Sequence, residues 1–426
     1  MEIIYQLIQN TYISMTVLLV VALGGLLAER SGVTNIALEG IMVLGAFVGI
    51  WSIQGLEGFP YSPLTEMVIF IVALSFSVII LLIAHILLVK IGKLDLYKFK
   101  DPEMQISSES VNGFKIFSFL IPLLGIFWFF KLKVRRPKAA ITSIKFAITG
   151  VIAYMMAFGI QQVMIGIEAR TQFILIMGLM IGGIVGGLYA MIHAHASIFM
   201  KADQIISATA LNLFAPAFAI FTARFIQGGQ QVQFNSTFMI QEVPILGTIP
   251  IIGDLFFSRV FLSFYIGLGL LVVIGFLLFR SKFGLRLRAC GENPHAADSL
   301  GINIYRMRFI AVTLSGVLAG MGGVIFVTST STEFNVTVAG FGFLAIAVLI
   351  FGNWKPSGII LAALFFGFMR TIANSYSIIP FLTNLGIEKE IYDIVPYVAT
   401  LVILAAFSKS SRSPKALGQI YDQGKR

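Results

Sequence analysis

Apolar runs fill most of the chain and are separated by short polar or basic breaks. A helix needs about 20 apolar residues to cross a hydrocarbon core of roughly 30 Å. Runs of that order occupy residues 11–28, 33–51, 65–89, 146–164, 173–200, 205–223, 260–279, 309–327, 339–358, 359–375 and 391–407. The pattern predicts an all-α polytopic membrane protein with about nine to eleven transmembrane helices. The lower figure follows if the interrupted segments at 33–51 and 339–358 are half-helices. Polar residues inside these runs stand out: Asn35 and Glu39 in one, and Ser207, Thr209 and Asn212 in another. An ionisable group at membrane depth costs about 2.5–3.5 kcal/mol on insertion scales and faces a pathway or the bundle interior. A role in the pathway and a role as helix-to-helix glue both stay open for Asn35 and Glu39.

The charged breaks set the expected orientation. Between the runs at 260–279 and 309–327 lies an island with Arg286, Arg288, Arg306 and Arg308, preceded by Arg280 and Lys282. The positive-inside rule makes it cytoplasmic. Residues 51–63 carry Glu57 and no Lys or Arg, so they read as extracytoplasmic, as does the long connector 224–258. Two further basic patches, at 90–100 and 131–138, flank an apolar stretch at 113–130. A full crossing there would place one patch outside, so a re-entrant or interfacial segment is expected. Alternation then leaves the N-terminus outside and the basic tail 408–426 inside.

Composition narrows the function classes. Of 426 residues, 58% are hydrophobic and 12% charged, with a mean hydropathy of +0.92, which does not suit a soluble domain. The net charge of +10 is accounted for by topology, so nucleic-acid binding is not expected. The single Cys290 excludes an internal disulfide framework. The first residues have no basic n-region followed by a small-residue cleavage site, so a cleaved signal peptide is not expected. His193 and His195, two apart, project in different directions on a helix, and no Cys or carboxylate cluster accompanies them. Neither a metal site nor a cofactor is expected. No phosphate loop of the form G-x-x-x-x-G-K-[ST] occurs, so ATP hydrolysis would belong to a partner.

A coupling-loop motif and three signatures carry a family resemblance. In the basic island, Glu292-Asn293-Pro294-x-Ala296-Ala297-x-x-x-Gly301-Ile302 places a helix-start pair at Asn293-Pro294 and a stop at Gly301. It resembles the coupling loop by which permeases of ABC importers rest on their ATPase. The sequence S-G-V-T-N-I-A-L-E-G at 31–40 resembles the first signature of the nucleoside-type permeases in that family. K-A-D-Q-I-I-S-A-T-A-L-N at 201–212 resembles another, with Asp203 and Ala208 departing from it and Gln204 and Asn212 matching. A third, around Phe341-Gly342-Phe343 and Ile346-Ala347-Val348 with Gly352, Pro356 and Gly358, completes the likeness. The segment 65–164 has no counterpart and reads as an insertion, with lipid contact or subunit packing as its plain role. The organisation is then 1–64, the insertion 65–164, core helices and connector 165–280, coupling loop 281–308, C-terminal half 309–407 and tail 408–426.

The resemblance implies a Type II-like ABC importer permease in a bacterial plasma membrane. It further implies an ATPase subunit, a second homologous permease, an extracytoplasmic substrate-binding lipoprotein and a nucleoside substrate. A ribose-type simple sugar is the alternative substrate. Asn35, Glu39, Gln204, Asn212 and Phe341 would line the path, with Phe341 stacking on a base or simply packing. Amides at Gln204 and Asn212 can donate and accept, as sugar hydroxyls and bases require. Glu292, Asn293, Pro294, Ala296, Ala297, Gly301 and Ile302 would carry the ATPase stroke. A Gly-rich helix followed by an interrupted one occurs at 11–51 and again, in the opposite direction, at 309–351. Inverted repeats of this kind place a transport site near the midplane. They also allow an ion-coupled secondary transporter with Glu39 as coupling carboxylate, against which the coupling loop argues. An intramembrane enzyme would need a cluster of reactive groups that the sequence lacks.

Overall fold

In the computed structural model the described residues are 2–58, 169–243, 246–376 and 413–423, with scattered positions at 151–155 and 379–399. The chain divides into two compact units, residues 1–59 with 171–426, and residues 60–170. The expected spans at 65–89, 146–164 and 391–407, and the expected re-entrant or interfacial segment at 113–130, lie wholly or largely outside the described residues. Among those described, seven helices are long and apolar enough to cross a membrane.

The first is α1 (Glu2–Arg30), followed by a non-helical break at 31–37 and then α2 (Leu38–Glu57). The run at 33–51 therefore opens with the end of the break, and its helical part continues to Glu57 as a helix long enough to span. Next come α3 (Ala169–Ala194), a π-helical turn (His195–Phe199) and α4 (Gln204–Gln227). Asp203 starts α4 as its N-cap, accepting from the amides of Ile205 and Ile206. Gly228 stops the helix in the left-handed region at φ 72°. The connector is not plain loop: it holds β1 (Val232–Gln233), β2 (Met239–Glu242), α5 (Ile252–Phe256) and β3 (Ser258–Phe261). Then α6 (Leu262–Arg280), α7 (Lys282–Glu292), α8 (Pro294–Ser299), α9 (Ile304–Thr330), β4 (Glu333–Phe334), α10 (Phe341–Phe351) and α11 (Pro356–Asn374) follow. Antiparallel pairs β1–β4 and β2–β3 close the end of the bundle opposite the α7–α8 loop, joined by Val232 opposite Phe334 and Ile240 opposite Val260.

Side-chain proximities fix the helix directions. Gly24 of α1 lies against Ser315 and Leu318 of α9, and Gly322 lies against Val21, so these helices run antiparallel. On α2, Gly45 meets Gly320 and Gly49 meets Val324, so α2 runs parallel to α9. Gly25 touches Leu349, and Arg30 reaches Trp354, so α10 runs with α1. The pair α1–break–α2 and the pair α9–connector–α10 are thus inverted copies of one plan. Glycines let three helices cross at their backbones. A Cβ on Gly320 would stand 2.2 Å from the Gly182 carbonyl oxygen, and one on Gly45 would stand 2.5 Å from the Gly320 Cα. The apolar core follows this crossing: Leu18, Leu23, Leu26, Ile41, Met42 and Ile50 are fully buried.

Candidate functional site: the meeting of two half-helices and the basic face

Both interrupted helices begin inside the bundle. Asn35, in the first break, donates from Nδ2 to Ser315 Oγ at 3.0 Å. Ser315 stands eleven residues into α9, or about 16 Å along a helix of about 40 Å, so the break returns well into the bundle. The start of α10 reaches the same depth from the other side. There the Glu39 carboxylate accepts from the Gly340 amide at 3.0 Å with Oε1 and from the Gly342 amide at 2.7 Å with Oε2. Free amides at a helix N-terminus, with the positive end of the helix dipole, favour such an anion. Gly340 holds the left-handed cap position at φ 76°. A Cβ on Gly342 would stand 2.6 Å from the Glu39 backbone, so only glycine lets the two helix starts approach this closely.

The N-terminus of α2 is occupied in a related way. Asn212 of α4 accepts from the Gly40 amide through Oδ1 at 2.8 Å and donates through Nδ2 to the Ile36 carbonyl at 2.9 Å. Gln204, one turn into neither helix but at the first position of α4, accepts from the Thr34 amide at 2.8 Å. The break thus has few orphan backbone groups, because two amide side chains from α4 take its donors and acceptors.

Four of the five residues expected along a path, Asn35, Glu39, Gln204 and Asn212, converge on residues 34–40, the end of this break and the start of α2. Asn35 is 2% exposed and its Oδ1 has no hydrogen-bond partner among the described residues. Phe341 is adjacent in sequence to both amides on Glu39, but its ring turns elsewhere. It is buried, with its centroid 5.0 Å from that of Phe326 and the Arg370 guanidinium 5.6 Å from its face. Arg370 was not singled out in the sequence, although a lone cation in an apolar run is a signal for it.

His193, which the sequence marked only as lacking the partners of a metal site, is fully buried and joins this network. Its Nε2 lies 3.2 Å from the Thr34 carbonyl oxygen and its Nδ1 lies 3.1 Å from Ser207 Oγ. A carbonyl only accepts, so in the neutral imidazole Nε2 donates and Nδ1 accepts from the serine hydroxyl. The signal was present: a titratable side chain inside a long apolar run.

The motif 292–302 lies at the basic end of the bundle. Asn293 caps α8 by accepting from the Ala296 amide at 3.1 Å, and Pro294 takes the first helical position, where no amide is needed. Gly301 ends the turn at φ 78°, and the Ile302 amide donates to the Ala297 carbonyl at 3.2 Å. Glu292, Asn293, Ala296 and Gly301 are exposed, whereas Pro294 and Ala297 are buried as the anchor of the turn. Burial of Cys290 among Ala297, Ile304 and Tyr421 pushes its thiol up to about 11. Nearby, Glu29 accepts from the Trp354 indole, and Arg30 donates to the Trp354 carbonyl at 2.6 Å. These contacts fasten the end of α1 to the turn after α10, and neither Glu29 nor Trp354 was anticipated.

Inverted repeats with interrupted helices that meet inside the bundle are a transporter architecture. The family described as branched-chain amino acid transport system, permease component, matches residues 112–404. This chain belongs to that permease family. The nucleoside ABC transporter permease protein NupC of Lactococcus lactis is 39% identical to this permease over 250 residues, covering 58% of this chain and 78% of the relative. The guanosine ABC transporter permease protein NupQ of Bacillus subtilis is 38% identical over 244 residues, covering 57% and 76%. A more distant relative, the nucleoside ABC transporter permease protein NupB of Lactococcus lactis, is 32% identical over 148 residues, covering 34% and 39%. No solved structure matches the permease.

Proposed function

We propose that this permease is one transmembrane subunit of an ATP-driven importer of nucleosides. Two relatives whose names specify nucleoside or guanosine transport support the substrate class. The observation that carries the reading is the state of the N-termini of α2 and α10. Such termini attract anionic groups of substrates, for instance a carboxylate. Here the chain's own Glu39 and Asn212 already occupy them. That arrangement suits an uncharged substrate, read by amides and by stacking, better than an amino acid carrying its own carboxylate. Asn35, Glu39, Gln204, Asn212 and Phe341 border the path. Asn35 Oδ1 is an acceptor open to a donor on the substrate, and Phe341 would meet a base once the helices around it part.

A separate ATPase would dock on Glu292–Ile302 and drive alternation through α8. The likeness to both NupC and NupB of one organism supports a second, homologous permease beside this one. An outer lipoprotein would deliver substrate to the β-paired end. The basic end then faces the cytoplasm of a bacterial plasma membrane, with the N-terminus outside. Uptake of labelled guanosine, uridine and ribose is compared in cells with and without this gene, before and after ATP depletion. ATP-dependent nucleoside uptake that excess ribose does not reduce is the expected result. Ribose uptake would move the permease to the sugar branch, and uptake that follows an ion gradient without ATP would overturn the importer reading.

A further inference from the structure

The tail at 413–423 carries few apolar residues, yet it is docked. The Ala416 amide donates to the Gly291 carbonyl at the end of α7 at 2.9 Å, and the Gly418 amide donates to the Gly32 carbonyl in the first break at 3.1 Å. Arg308 of α9 lies between them: its Nη1 donates to the Gln419 carbonyl at 2.9 Å and its Nε to the Ser31 carbonyl at 3.2 Å. Gly32, at φ 93°, makes room, since a Cβ there would stand 2.7 Å from the Arg308 guanidinium and 3.1 Å from the Ala416 carbonyl. Tyr421 is 5% exposed, with its ring centroid 5.2 Å from that of His295 on α8 and 5.4 Å from that of Tyr305 on α9. It covers Cys290 and Ala297. Beyond it, Asp422 pairs with Lys201 in the α3–α4 turn at 2.9 Å.

One short segment therefore touches α7, α8, α9, the first break and the α3–α4 turn. Of the elements it joins, α8 is the one exposed for an ATPase, and the break is the one that holds Asn35. We propose that residues 414–422 act as a strap that carries displacement of α8 to the α1–α2 break, with Arg308 as the positioning residue that locks strap to break. A helix displaced by a partner moves a distant site only through connections with two defined arrangements. In the bundle itself α7 meets the end of α1 and the break where Gly291 comes close to the Arg30 carbonyl and the Gly32 amide. The strap adds hydrogen bonds on both sides of that contact and a buried ring against α8.

The proposal rests on the ATP-driven reading, and the lone cysteine gives a readout that does not. Inverted membrane vesicles bearing the assembled complex are labelled from the exposed face with a membrane-impermeant maleimide, for the unaltered chain, Tyr421→Phe, Tyr421→Ala and a deletion of 413–423. Cys290 should be nearly inert in the first two. In the last two its labelling should quicken at least about tenfold, because solvent reaches the thiol and its pKa falls. In the same vesicles, Tyr421→Ala and the deletion should keep ATP hydrolysis within about twofold while transport per ATP falls about tenfold, the mark of lost coupling. Unchanged labelling would mean that the strap is not docked and overturns the proposal. Faster labelling with full coupling would overturn it too, as would faster transport, which would make the tail an inhibitor. Absence of ATP-driven uptake by the unaltered complex would instead count against the importer reading, while the labelling still judges the docking.

Discussion

At the residue scale, Glu39 shows how a costly group is made tolerable. A carboxylate inside the bundle sits where two backbone amides at the start of α10 point at it, at 3.0 and 2.7 Å. Charge-assisted bonds of this kind are about twice as strong as neutral ones. The sequence marked Glu39 as anomalous because it interrupts an apolar run. Its partners were illegible, because Gly340 lies 301 positions away and only the fold joins them. The same holds for Asn212 and Gln204, whose bonds to the break span more than 165 positions. Glu39→Ala removes two acceptors from α10, a cap loss of about 0.5–2 kcal/mol, while Gly340 and Gly342 keep the backbone path. We expect the amount of membrane-inserted protein, read by immunoblot after protease challenge, to stay near normal while nucleoside uptake drops at least about tenfold. A fall in folded protein that matches the fall in uptake would show that Glu39 is a fastener and nothing more.

At the element scale, what was legible was local. Asn293-Pro294 and Gly301 bracket α8 because a cap, a fixed proline φ and a left-handed stop are properties of neighbouring residues. The start of α10 was legible in place, since the polar stretch 328–337 ends just before the run at 339, but its cap was not: the helix begins on a left-handed Gly340 and a distant carboxylate. Arg308 was legible only in part: charge next to a run counts toward topology, whereas the burial and backbone bonds of this residue, 3% exposed, come from the fold. The exposed α8 gives a sharp test of coupling. A side chain at Gly301 meets nothing within 4 Å, so Gly301→Arg is resisted only by its φ of 78°, a cost of about 1–2 kcal/mol. The variant should insert normally and lose co-purification with the ATPase, because a bulky cation then occupies the proposed docking surface. Recovery of the intact complex at the usual yield would remove α8 from the coupling path.

At the scale of the whole molecule, the inverted repeat was visible as a repeated order of Gly-rich and interrupted helices. How tightly the copies meet was not, because glycine spacing alone does not say which backbone lies opposite. The structure places Gly45 of α2, Gly182 and Gly186 of α3, and Gly316 and Gly320 of α9 at one crossing. This crossing sets the separation between α2 and α9, and so it also sets whether Asn35 can reach Ser315. In a bilayer, where apolar burial between helices gains little over lipid, close backbone packing is the main source of such association. Two glycine-to-alanine changes separate that packing from helix propensity, since alanine is the better helix former at either site by about 1 kcal/mol. At Gly320 the new methyl would lie 2.2 Å from the Gly182 carbonyl oxygen, whereas at Gly269 on α6 nothing lies within 4 Å. Gly320→Ala should lower the melting temperature of the detergent-purified complex by several degrees, corresponding to the roughly 1–3 kcal/mol typical of overpacking, and should reduce uptake. Gly269→Ala should leave both unchanged or slightly raise stability. Equal behaviour of the two variants would mean that the helices separate at the crossing without penalty, and the junction at Glu39 would then have to hold the two repeats together by itself.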